Sequence, residues 1–166
     1  MPISEGLLNE FDHESKTTRR VLERIPTDKF DWAPHPRSMT MGKLAWHVAQ
    51  MATWVPGTLE QDFIDFSVPG PEDPAHATTE ELLAAFDKMV AAARASLAAA
   101  PDQIMMQPWS LKNGDMVFFT LPKIAVLRSF VFNHIVHHRG QLTVYLRLNE
   151  IPVPSIYGPS ADEQTF

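Results

Sequence analysis

"PKIAVLRSFVFNHIVHHRGQLTVYLRLN", residues 122–149, decides the fold class. Leu127, Phe130, Val131, His134, His138, Gln141, Leu142, Tyr145 and Leu148 recur at i, i+3, i+4 and i+7, the period of one face of an α-helix. Pro122 suits the first helical turn, where a missing N–H is no loss. A helix of this length needs other elements to cover its apolar face. Gly140 lowers helix stability by about 1 kcal/mol relative to alanine, a cost offset if another helix approaches closely there.

Three more helices are expected upstream. The first spans residues 4–25, with Ser4 as its cap and Glu5 in its first turn. Leu7, Leu8, Phe11, Thr18, Val21, Leu22 and Ile25 fall on one side, and Pro26 ends it. Residues 26–38 carry three prolines and read as a loop, with Phe30 and Trp32 tucked beneath it. The second helix is expected from Thr40 to Phe66, on the stripe Met41, Leu44, Ala45, Val48, Met51 and Ala52, with a kink or break at Pro56. Residues 67–77, with Pro69, Gly70, Pro71 and Pro74, read as a surface connection. The third helix opens with a Thr78/Glu81 capping box and runs, rich in alanine, to Pro101. Residues 103–120 turn on Asn113-Gly114 and predict a short hairpin, its first arm irregular or at an edge because of Pro108. The fold expected is all-α: a four-helix bundle in one domain over residues 1–166, with a short β-hairpin before the last helix.

Composition narrows the function. The chain has 166 residues, 45% hydrophobic and 20% charged, with a formal net charge of −6. An acidic chain without a Lys/Arg run is a poor match for nucleic acid or an anionic membrane. No apolar run reaches the length of a membrane span, and the start is too polar for a signal peptide. The chain contains no cysteine, so disulfides, thiolate metal sites and cysteine nucleophiles are excluded. A cytoplasmic location is the expectation.

Histidines carry the chemistry. His134 and His138 are i, i+4 neighbours on the inward face, and helical geometry lets both rings reach one point. Burying imidazoles requires a hydrogen-bond partner or a metal. His47 lies beside the apolar stripe of the second helix, where a neighbouring helix can bring it to the pair. Three neutral imidazoles suit Zn²⁺, Ni²⁺ or a similar divalent ion and leave positions open for water or substrate. His137 is rotated onto a neighbouring face. His35 and His76 sit in loops as solvated groups, and His13 pairs with nearby acids. Glu14 either orients a histidine or is a surface charge. Gln141 reads as a packing residue or a polar contact to the first helix, against a role beside the histidines. Arg139 points away from the ligand face toward an ion pair. Trp46, Trp54, Trp109 and Met51 read as core or interface residues.

"LAWHVAQ" (44–50) followed far downstream by "NHIVHHRGQLTVYLRLN" (133–149) resembles the DinB/YfiT-like superfamily of metal-dependent proteins. "LERIPTDKFDWAPHPRSMTMGKLAWHVA" matches that family's passage from first to second helix, and "IPVPSIYG" its ending. The resemblance implies a bundle with an overcrossing connection, a homodimer, and a divalent metal on His47, His134 and His138. It also implies a small-molecule substrate, with water or a low-molecular-weight thiol such as bacillithiol or mycothiol activated for transfer, isomerisation or hydrolysis. A non-catalytic, stress-related dimer with a structural or vestigial ion is the competing expectation. Three histidines argue against that, because structural zinc is usually closed by four protein ligands.

Overall fold

The computed structural model describes residues 2–70 and 77–164. The chain is mostly helical, with one small sheet. Helix α1 covers Ile3–Leu22, α2 Met41–Gln50, α3 Trp54–Leu59 and α4 Thr79–Ala99. The short α5 (Asp102–Met105) precedes the hairpin, and α6 (Lys123–Ala125) follows it. The chain then continues through a π-helical stretch, Val126–Phe132, into α7, Asn133–Leu148. Helices α1 and α2 each pack between α4 and α7, and the core fills the space they enclose. It includes Phe11, Val21 and Leu22 from α1, Leu44 and Val48 from α2, Leu82 and Phe86 from α4, and Leu142 and Leu146 from α7. The fold is therefore richer than a plain four-helix bundle, since short helices and a three-stranded sheet extend it.

Helix α1 starts one residue earlier than expected and is capped from elsewhere. Ser4 is buried and Pro2 occupies the cap position without a side-chain bond. Instead the Ile3 N–H donates to the Asp102 carboxylate at 2.8 Å. Unpaired first-turn N–H groups need an acceptor, and a residue distant in sequence supplies it. Among the expected termini, the Thr78/Glu81 capping box is present with both of its bonds.

The second helix departs most from expectation. It breaks at Met51–Thr53, a 3₁₀ turn, before Pro56 rather than at it. Pro56 then sits in the first turn of α3, where its missing N–H leaves no helical bond unmade. Helix α3 stops at Leu59, short of the expected Phe66. Buried Lys123 donates from Nζ to the carbonyls of Leu59 at 3.0 Å and Gln61 at 2.7 Å, satisfying chain-end groups that would otherwise continue the helix.

The freed residues form strand β1, Phe63–Asp65. It pairs in parallel with β2, Pro108–Asn113, in the register Phe63↔Ser110. Strand β2 pairs antiparallel with β3, Met116–Pro122, so β2 is central and the order is β1-β2-β3. The hairpin is where the sequence places it, but its first arm begins at Pro108, because residues 102–105 are helical. Asn113 and Met116 face each other, so Gly114-Asp115 form the turn, one residue later than read. Gly114 has φ +58°, the left-handed conformation that two-residue hairpins need. Pro108 lies in the central strand rather than at an edge. It is tolerated there because it is the first residue and faces Pro122, beyond the reach of β1. Trp109, Leu111 and Val126 form a smaller core under the sheet, and the Trp109 indole N–H donates to the Gly57 carbonyl at 3.2 Å.

Among the described residues no helix is long and apolar enough to cross a membrane.

Candidate metal centre

The two helices that carry the histidines are fixed by the loop between α1 and α2. The N–H groups of Met41 and Gly42 donate to the carbonyls of Trp32 at 2.8 Å and Phe30 at 2.9 Å. A Cβ on Gly42 would lie 2.9 Å from Phe30, so only glycine lets the loop press against α2 this closely. Thr40 completes the start of α2 by accepting from the Lys43 N–H at 3.2 Å. The same loop grips α7: the Tyr145 hydroxyl donates to the Met39 carbonyl at 3.2 Å, and the Tyr145 ring meets Trp32 edge-on at 5.5 Å.

On this frame His47, His134 and His138 come together, with one ring nitrogen from each inside 4.8 Å of the others. His47 Nε2 and His134 Nε2 are 3.3 Å apart. Two nitrogens held at roughly 2.0–2.1 Å from one tetrahedral ion would stand at about this separation. A hydrogen bond between two imidazoles also fits 3.3 Å, but it gives no reason for the third ring. His138 stands 4.6 Å from the centres of both His47 and His134. All three rings are partly buried. Burial, then the charges that His138, His47 and His137 would carry, push the His134 pKa down to about 4. His134 is therefore neutral at physiological pH and its lone pair is available. The donor set fits a divalent ion.

Gln141 contributes what the sequence reading assigned elsewhere. Its Oε1 lies 2.7 Å from His138 Nδ1, which fixes the ring with Nδ1–H toward Gln141 and leaves Nε2 for the centre. Gln141 is exposed and, through this contact, sits beside the histidines. The i, i+3 spacing from His138 was the available signal.

Arg139 makes the ion pair expected of it, away from the histidines, and it does so in the core: it is 1% exposed, among the most buried large side chains of the chain. Its Nη1 lies 2.7 Å from Glu14 Oε2 and 3.2 Å from Thr18 Oγ1. Its Nη2 donates to the Tyr157 hydroxyl at 2.5 Å, which in turn donates to Glu14 at 2.8 Å. Glu14 is thus neither a surface charge nor a histidine's partner. The buried row of α7 runs through Ile135, Arg139, Leu142 and Leu146, and the histidine pair lies beside that row. Gly140 has no atom within 4 Å of a would-be Cβ, so close approach within the chain does not explain it.

His137 is exposed, its ring 4.7 Å from His138. His13 and His35 are exposed. Among the described residues no carboxylate pairs with His13, because Asp12 is taken by Arg94. The expectation for His76 lies outside the described residues. Trp109 is core, as read. Met51 and Trp46 are buried, yet they also line a cleft of about 730 Å³ with Gln50, Trp54, Phe66 and Phe130, into which His47 and His134 face.

The similarity comparisons agree with this architecture. A curated Bacillus subtilis (strain 168) protein described as uncharacterized, YrdA, is 24% identical over 163 residues, covering 96% of this chain and 90% of that protein. A DinB-like protein from Bacillus cereus ATCC 10987 has a similar fold, with TM-score 0.70 and 22% identity over 92% of this chain and 97% of that one. The DinB-like protein YjoA from Bacillus subtilis superposes with TM-score 0.72 at 16% identity, over 97% of this chain and 99% of that one. The family model described as DinB matches residues 1–165, and the chain belongs to the DinB family.

Proposed function

We propose that the protein is a divalent-metal-dependent enzyme, a thiol-dependent transferase or a hydrolase, with the ion on His47, His134 and His138. One observation carries the reading: three imidazoles from two helices converge on one point, two of them lining a cleft, and among the described residues no fourth ligand joins them. A three-ligand site keeps a position open, which is the arrangement of catalytic rather than structural zinc. A Zn²⁺, Ni²⁺ or similar ion bound there would lower the pKa of water or a thiol enough to supply a nucleophile near neutral pH.

The chain's own part is binding and orientation. His134 stays neutral by burial, and Gln141 holds the His138 ring. Because the chain has no cysteine, a thiol nucleophile must come from a second small molecule.

The test is elemental analysis of the purified protein, followed by a screen of small thiols against electrophiles. About one divalent ion per chain is expected, lost in His134→Ala. Full occupancy in that variant would sink the assignment. A loaded protein that turns over neither thiol nor hydrolysable substrate would leave the metal reading and remove the enzyme.

A further inference from the structure

The cleft beside the histidines says more about the substrate than the histidines do. Trp54 and Phe130 stand 5.3 Å apart, Trp54 and Phe66 6.1 Å, and Phe130 meets His134 edge-on at 5.7 Å. These rings form a continuous row of contacts from Phe66 through Trp54 and Phe130 to His134. Met51 and Met89 add flexible apolar surface, which adapts to irregular ligand shapes. Apart from His47 and His134, no acidic or basic side chain lines the cleft among the described residues. The other polar groups among the described lining residues are the Gln50 and Thr53 side chains and the indole N–H groups of Trp46 and Trp54, and the Thr53 hydroxyl already donates to the Gln50 carbonyl at 2.7 Å.

Away from the histidines, an ionic group bound against this aromatic wall would lose water and meet no charged side chain among the described lining residues. Apolar and aromatic groups would gain from burial and from ring contacts. The volume, about 730 Å³, lies within the range of small-molecule sites. We infer that the cleft binds an uncharged aromatic small molecule, whose ring system lies against Trp54, Phe66 and Phe130 and whose reactive end reaches the histidines. This deepens the proposed function and rests on it for the reactive end. The ring-binding part stands on the wall alone.

Three probes with one ring system separate charge from shape: 1-naphthalenemethanol, 1-naphthoate and 1-naphthalenemethylammonium. Calorimetric titration uses the full chain, first as purified and then after chelation. The neutral probe should bind in both forms, in the chelated form at least tenfold tighter than either ion. Phe66 is half-exposed, so Phe66→Ala should fold normally and weaken neutral-probe binding severalfold, and Trp54→Ala should weaken it by tenfold or more. No saturable binding of the neutral probe, equal binding of the ions to chelated protein, or an unchanged Kd in both variants would overturn the inference. Failure of metal analysis with the neutral probe still bound would refute the metal reading alone, so the two failures are distinguishable.

Discussion

Replacing Arg139 with methionine tests the reasoning about α7 most directly. The Arg139 side chain is 1% exposed and that of Glu14 11%, so solvent screens the pair little. Methionine fills much of the volume but leaves the Glu14 carboxylate buried, with the Tyr157 hydroxyl as a remaining donor at 2.8 Å. Removing one partner of a buried pair typically costs about 3–5 kcal/mol. Against a total stability of roughly 5–15 kcal/mol, that is a large fraction. At about 2–4 °C per kcal/mol for a domain of this size, Arg139→Met should lower Tm by roughly 6–20 °C. Urea unfolding followed by tryptophan fluorescence should show the midpoint falling at an unchanged slope. The double variant Arg139→Met/Glu14→Gln removes both charges and should recover most of the loss, since a matched neutral pair is often nearly neutral in stability. A single-variant cost below about 1 kcal/mol, or a double variant no more stable than the single, would refute the account of Arg139 as a buried clamp.

Three further outcomes follow from the same structure. Gly140→Ala should raise stability by about 0.5–1 kcal/mol, since a helical glycine is replaced where a Cβ meets nothing; a loss in thermal unfolding would show that another surface contacts Gly140. Glu150 adopts φ 57° just past α7, with its N–H bonded to the Arg147 carbonyl and that of Ile151 to Leu146, a Schellman turn usually closed by glycine; Glu150→Gly should stabilise by up to about 1 kcal/mol, and a lower unfolding midpoint would contradict it. The Arg147 hydrogen bond holds Asp162 below the usual carboxylate pKa, and the Ser155 N–H does so for Glu163. Their stabilisation is complete above the ordinary carboxylate range and is lost as pH falls through their lower folded values. The acid limb of stability for Asp162→Asn/Glu163→Gln should accordingly be shallower below about pH 5, and parallel limbs would reject the tail contacts as a source of acid sensitivity.

Local signals were readable in the sequence, and signals set by distant partners were not. The His134/His138 pair could be read because four residues make about one helical turn, and the Thr78/Glu81 box because its donors and acceptors lie three residues apart. Strand β1 could not be read, because three residues become a strand only through the β2 edge they meet. Ser4 looked like a cap, since nothing near it reveals that Asp102 supplies the acceptor. The burial of Arg139 was not legible for two reasons. Hydropathy does not nominate an arginine as a core residue, and the face was projected at a uniform 3.6-residue period. The π-helical stretch over Val126–Phe132 breaks that period, because its bonds span five residues and the wider turn shifts everything beyond it.

That shift links fold to site. With α7 rotated so that Ile135, Arg139, Leu142 and Leu146 are buried, His134 and His138 are only partly buried, and His134 lines the cleft. A fully buried pair would be closed off from the cleft, and a fully exposed pair would lack the burial that keeps His134 neutral. Two contacts set the rotation: Arg139 against α1 and the tail, and Tyr145 against the loop that ends in α2. The same loop anchors the first N–H groups of α2, which fixes His47 in the same frame. The 3.3 Å separation of His47 and His134 therefore depends on the proline-rich loop, whose Phe30 and Trp32 pack against the core as expected. Its carbonyls at Phe30, Trp32 and Met39 hold the two histidine-bearing helices in register with each other.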